Sequence, residues 1–247
     1  MAKINIDIED ILQSLRYIGY EINDCIEREN NGRNWQIKFS NSGASVTIYD
    51  SNRTKNSVVN GKLEPDEGRM LKDLVDGFKC REIVISALNR MIVSLINSRK
   101  EDTFYDFKQE FSGNKEDLLH DILCLSNNTD NREAYLIIGV NDSYDVVGVC
   151  ETIKSNYIFD FLRSQSFAGD HLPEVEVEEI YYKHKKLVVI VCKSSKHIPF
   201  YLTERYQGVH PYQIYTRTGD TNTPKNKHAN YSDTEKLWRI HFEREHE

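Results

Sequence analysis

A chain of 247 residues with 39% hydrophobic and 29% charged content is long enough and apolar enough to fold around one large core or two small ones, which excludes a disordered protein. Its formal net charge of −7 argues against a broad, non-specific nucleic-acid binder, although a local basic groove remains open. No apolar run reaches the roughly eighteen residues that a membrane-spanning helix requires, so no membrane partner is expected. The five cysteines, at 25, 80, 124, 150 and 192, contain no C-x-x-C pair and read as reduced thiols packed as small hydrophobes in a cytoplasmic protein. The opening M-A-K-I-N-I-D-I-E-D lacks a signal-peptide pattern.

Ile8, Ile11, Leu12, Leu15 and Ile18 recur at helical spacing and predict a helix over 4–19, stopped at Gly19. Strands follow at 20–26, 35–39 and 46–49, with turn signals at 31–32 and 42–43, and a weaker strand lies near Val58 and Val59. Pro65 suits the first turn of the next helix, and residues 81–98 form another apolar helix. Further strands are expected at 104–111 and 135–140, with a hairpin partner at 146–149 across N-D-S-Y-D. Between the first two, Leu118, Leu119, Ile122, Leu123 and Leu125 form the buried face of a helix. A helix at 155–166 precedes the strand V-E-V-E-E-I-Y-Y, the basic turn K-H-K-K and the buried strand L-V-V-I-V-C. The segment S-S-K-H-I-P-F-Y-L reads as a strand leading to a loop, and 213–217 as a further strand. Ser232 and Glu235 form a capping box on the last helix. The fold class is α+β, with a small helix-plus-antiparallel-sheet module over 1–95 and a mixed-sheet domain over 96–247.

Two features between Glu101 and Val149 invite chemistry. Glu101 and Asp106 lie five apart around a strand that closes with Phe107 and Lys108, and the apolar run ending at Gly139 delivers Asn141, Asp142 and Asp145 into a turn. Acids at strand ends beside a glycine-permitted turn are often mounted for function. Equally, Glu101 and Asp106 could be solvated acids and Asp142 a turn former. Lys108 is expected to share a side with Asp106 only if the strand is bulged. No Walker loop or dinucleotide glycine motif appears, and none of the eight histidines forms an H-x-x-x-H pair on one helix.

This order of residues resembles the Schlafen AlbA-like domain over roughly the last 150 residues. Its pieces are Glu101, then Asp106-Phe107-Lys108, Asn127-Asn128-Thr129, Ile138-Gly139-Val140, Asp142, Gly148, Pro199-Phe200-Tyr201 and Arg217-Thr218-Gly219. Two departures stand out: the glycine pair after Asn-Thr is replaced by D-N-R-E-A, and Asp106 stands where the family usually has Glu. The N-terminal part faintly resembles the TATA-binding-protein-like module found ahead of some bacterial ribonucleases.

The resemblance implies a divalent-metal-dependent endoribonuclease acting on tRNA or rRNA, in which Glu101, Asp106 and Asp142 hold Mg2+ or Mn2+ and Lys108 assists. Whether Asp145 replaces Asp142 is left open. Phosphodiester cleavage suits such a site, because a carboxylate-held ion neutralises the phosphate, whereas three converging acids without a cation repel. RNA-binding candidates are Lys193, Lys196 and His197, with Arg217 and the turn residues Lys185 and Lys186. Arg217 could instead fix a loop by pairing with an acid, and Lys185 and Lys186 could be a wet hairpin tip. Tyr201, Tyr212 and Tyr215 could stack bases or pack as strand residues. By analogy, a bacterial defence or toxin role is expected, and a chain with one lobe leaves room for a homodimer. The alternative is a non-catalytic nucleic-acid-binding or regulatory module.

Overall fold

The computed structural model describes residues 6–29, 32–40, 42–50, 55–111, 113–150 and 153–244. Two compact units divide the chain: residues 1–98 together with 181–185, and residues 99–180 together with 186–247.

In the first unit, helix α1 (Ile8–Tyr17) starts where the Asp7 carboxylate accepts from the Glu9 amide at 3.1 Å. It gives out at Gly19, whose φ of +89° suits a residue without a side chain. Strands β1 (Ile22–Arg28), β2 (Asn34–Phe39), β3 (Ser45–Tyr49) and β4 (Val58–Asn60) form an antiparallel meander in sequence order. Trp35, Ile37 and Phe39 alternate along β2 as its buried apolar positions, the period-two pattern of a sheet with one covered face. Helix α2 (Pro65–Lys79) has its proline in the first turn, where no amide partner is lost. Helix α3 (Ala87–Asn97) is shorter than the expected 81–98. Ser86 accepts from the Asn89 amide at 3.0 Å and starts the helix there, and Arg81 sits at φ +57°. The core joins Ile11 and Leu15 of α1, Ile37, Val46 and Ile48 of the sheet, and Leu71, Val75 and Phe78 of α2. Buried Asn89 is bonded on both amide groups to the backbone of Tyr181, donating to its carbonyl at 2.8 Å and accepting from its N–H at 2.9 Å.

The second unit is built on the mixed sheet β5-β6-β8-β7, where β5 is Tyr105–Lys108, β6 Ala134–Ile138, β7 Val175–Tyr182 and β8 Lys185–Cys192. β5 and β6 are parallel, and the crossover between them carries α4 (Lys115–Ser126), capped by Asn114. β6 runs antiparallel to β8. β6 and the Leu187–Cys192 stretch of β8 are continuous apolar runs, as burial on two faces demands. Helices α5 (Ser155–Arg163) and α6 (Tyr231–Arg244) and the short hairpin of β9 (Arg217–Thr218) and β10 (Thr221–Asn222) complete the unit.

Several expected strands are not formed. Residues 146–149 contribute only an isolated bridge, Val140 to Val146, because Gly139 at φ +110° and Gly148 at φ +81° bend both arms of the turn. Residues 194–202 run as a loop through a cis Ile198–Pro199 bond. Of 213–217 only Arg217 is in a strand, while Ile214 bonds instead to His228 and Ala229. Helix α6 is capped by Asn230, which accepts from the Asp233 amide at 2.8 Å, so the expected Ser232 lies inside the first turn.

Candidate active site

β5 is regular, so Asp106 and Lys108, two residues apart, share one face without a bulge. The expectation that a bulge was needed is therefore corrected. Their neighbours in register on β6 are Leu136 and Ile138, and above this face lies α4 with Leu118 and Asp121. Tyr105 and Phe107 point the other way, where Phe107 meets the Tyr144 ring edge-on with centroids 5.8 Å apart.

Arg217 is the hub of the site. Only 4% exposed, its guanidinium donates through Nε to the Asp102 carbonyl at 2.9 Å and through Nη1 to Asn222 at 2.8 Å. Nη2 is paired with both acids, the Glu101 carboxylate and Asp106 Oδ1, the latter at 3.1 Å. The planar fork of an arginine is suited to gripping two carboxylates at once. The other Asp106 oxygen, Oδ2, faces Lys108 Nζ at 2.8 Å but is not aligned for a hydrogen bond. Lys108 also lies 3.7 Å from Asp121, whose second oxygen accepts from Asn222 at 2.8 Å. Glu101 accepts from the Phe107 amide at 3.3 Å.

Electrostatics follow from this crowding. Burial, and then the neighbouring Asp106, push the Glu101 carboxyl above its ordinary range against the pull of Arg217. Burial raises Asp121 to about 6, with Lys108 pulling it down and Asp106 adding to the rise. Burial would lower Lys108, but Asp121 and Asp106 outweigh it and keep the ammonium charged.

The structure therefore brings together Glu101, Asp106, Lys108 and Arg217 through direct ion pairs. Asp142 is exposed on the turn after Gly139 and shares no hydrogen bond or ion pair with the other acids. That turn is set by Asn141, which accepts from Ser143 and Asp145, while Asp145 lies 3.6 Å from Arg99. Among the described residues, no three His, Cys, Asp or Glu side chains are arranged to hold a metal ion. Of the basic candidates, Lys193 is neutralised by Glu176 at 2.7 Å and Glu133 at 3.0 Å, and Lys186 is paired with Glu179 at 3.0 Å. Lys185 groups with the first unit, Lys196 is exposed, and His197 stacks on His171 with centroids 3.6 Å apart. Tyr215 is fully buried with its hydroxyl donating to the Lys225 carbonyl at 2.9 Å, a packing role, whereas Tyr212 is exposed.

Sequence reasoning missed Asp121 and Asn222. The signal for Asp121 was present: it sits three residues after Leu118 and four before Leu125, on the face assigned to the core. An acid there needs partners, and Lys108 and Asn222 are those partners.

A family model described as Schlafen, AlbA_2 matches residues 101–226. The chain belongs to that family. The Schlafen AlbA_2 match opens at Glu101 and takes in Asp106, Lys108, Asp121, Arg217 and Asn222, so the whole charged cluster lies inside it. Membership points to a nucleic-acid-related function and is associated with nuclease-like activity. A search of curated proteins returned no match.

Family motifs also acquire structural reasons. Asn127 accepts from the Phe200 amide at 2.7 Å and donates to the Phe200 and Tyr215 carbonyls at 2.8 and 3.0 Å. The Asn-Thr piece thus clips the Pro-Phe-Tyr loop to the end of α4. In the Arg-x-Gly piece, Gly219 at φ +61° turns the β9–β10 hairpin and leaves Arg217 and Asn222 paired across it.

Proposed function

We propose that the Schlafen AlbA_2 unit is a divalent-metal-dependent endoribonuclease acting on structured RNA, with tRNA as the foremost substrate. The observation that supports this reading is the Glu101–Asp106 pair, two carboxylates converging on one arginine beside a charged lysine. Two observations support a divalent ion there: Asp106 Oδ2 is buried without an aligned hydrogen bond although Lys108 Nζ lies 2.8 Å away, and Glu101 is held above its ordinary range by burial and then by Asp106. Both conditions are relieved by a nearby cation. Glu101 and Asp106 would hold Mg2+ or Mn2+, with Asp142 supplied from its turn, and the ion would polarise the scissile phosphate. Lys108, on the same strand face, meets the negative charge that builds on the phosphate oxygens. Arg217 is a positioning residue, since its other two bonds to Asp102 and Asn222 fix where the carboxylates stand. Lys196 on the loop after β8 is left to meet the RNA backbone. A cytoplasmic location, a homodimer that clamps RNA and a role in bacterial defence or as a toxin belong to the same proposal.

The test is incubation of the purified protein with total tRNA, with and without Mg2+ or Mn2+, beside Glu101→Ala. Cleavage that needs both the metal and Glu101 supports the enzyme. A second reading has its own observation: Arg217 and Lys108 already neutralise both acids, as they would in a purely structural ion-pair network of a nucleic-acid-binding module. RNA binding with no cleavage under either metal selects it.

A further inference from the structure

Beside the charged cluster, and sharing only Lys108 with it, lies a cleft of about 300 Å³. That volume stands at the small end of ligand pockets, which run from roughly 300 to 1,000 Å³. Its floor is apolar, made by Leu118 of α4 and by Leu136 and Ile138 of β6, and Phe111 stands on its wall. Its polar groups are of two kinds. Lys108 offers N–H donors, and Asp121 and Glu110 offer carboxylate acceptors. Asp117 is committed elsewhere, to Lys225 and to Asn114. Asp121 is only 8% exposed, and one of its oxygens is taken by Asn222. Its other oxygen lies 3.7 Å from Lys108 Nζ, beyond hydrogen-bonding length, so this acceptor on the cleft lining is open to a donor from a ligand.

We infer that this cleft receives one unstacked nucleobase, and that guanine is the base it fits. An apolar lining of Leu118, Leu136 and Ile138 with Phe111 beside them suits the face of a ring, as in sites that read bases splayed out of single-stranded RNA. The Watson–Crick edge of guanine presents one acceptor, O6, beside two donors, N1–H and N2–H. Lys108 matches O6, and the Asp121 and Glu110 carboxylates match the two donors. Uracil offers a single donor between two acceptors, while adenine and cytosine each offer one amino donor beside ring acceptors. Each of these would leave one carboxylate facing no donor or an acceptor. Because Lys108 also belongs to the proposed catalytic cluster, the cleft would place the bound base next to the phosphate to be cut. This inference rests on the endoribonuclease reading for that purpose, but the binding itself does not need cleavage.

The experiment is a titration of the intact protein with guanosine, adenosine, cytidine and uridine, followed by NMR of the methyl groups of Leu118, Leu136 and Ile138. Nucleosides carry no phosphate, so a response reports the base. Guanosine is expected to shift these methyls at the lowest concentration of the four. Asp121→Asn keeps an oxygen for Asn222 and is expected to weaken guanosine about tenfold or more, the usual effect of losing one directional base contact. Glu110→Gln, on an exposed side chain, gives the same test should the first variant fold poorly. Equal response to all four nucleosides, no response at millimolar concentration, or unchanged guanosine binding in the folded variants overturns the inference. Guanosine binding by a protein that cuts no RNA would remove the nuclease reading and leave the base site standing. Metal-dependent cleavage without nucleoside binding would do the reverse.

Discussion

At the scale of single residues, the site is a balance of buried charges in which each member restrains the next. Arg217 holds two acids, and removing it leaves both in a poorly solvated place. Arg217→Met is expected to cost on the order of 3–5 kcal/mol in urea denaturation, the usual penalty for orphaning a buried charge. Asp121 gives a pH-dependent prediction. In the folded chain it keeps its proton up to about 6, against an ordinary 3.8. Between those values the folded state binds more protons than the unfolded one, so stability falls as pH rises across that window. Asp121→Asn removes this loss and is expected to stabilise the protein at pH 7 by on the order of 2–3 kcal/mol, with little gain at pH 4. Urea denaturation of both proteins at the two pH values decides it, and equal differences at pH 4 and pH 7 would rule out the assignment. The nearness of Asp106 and Lys108 was legible because they sit two apart on the short strand β5, and Glu101, just ahead of it, joins them through Arg217. Asp121 was masked by the apolar residues around it, since periodicity describes a helix face but does not say which polar intruder finds a partner.

At the scale of elements, the strands and helices with strong periodicity were legible, and the segments shaped by side-chain bonding were not. The segment 194–202, expected as a strand leading to a loop, is loop throughout and is held by Asn127, a residue some seventy positions earlier whose reach no local pattern reveals. Asn127→Ala would leave three buried backbone groups of Phe200 and Tyr215 without partners. A loss on the order of 3 kcal/mol or more is expected in denaturant melts, since each orphaned group costs about 1–3 kcal/mol. The turn after β6 makes a matching case. Gly139 sits at φ +110°, and a Cβ there would come 2.5 Å from Leu187 Cδ2 and 3.2 Å from the Gly148 backbone. Gly139→Ala is expected to destabilise by about 1–3 kcal/mol and to shift the turn bearing Asp142, read as displaced amide resonances for residues 140–146.

At the scale of the whole molecule, the Schlafen AlbA_2 match covers residues 101–226, and the α+β class and the mixed sheet were both readable from pattern. What pattern could not supply was the path of the β7–β8 turn. Residues 181–185 group with the N-terminal unit although the strands that carry them belong mostly to the other. The first unit is therefore assembled from two separate stretches of chain. Its buried Asn89 takes both of its amide bonds from the later stretch, at Tyr181. A fragment ending at Ser98 would strand that amide and is expected to melt at a lower temperature than the same unit within the full chain, by calorimetry. A gene rearrangement that cuts once near position 98 would thus transplant neither half whole.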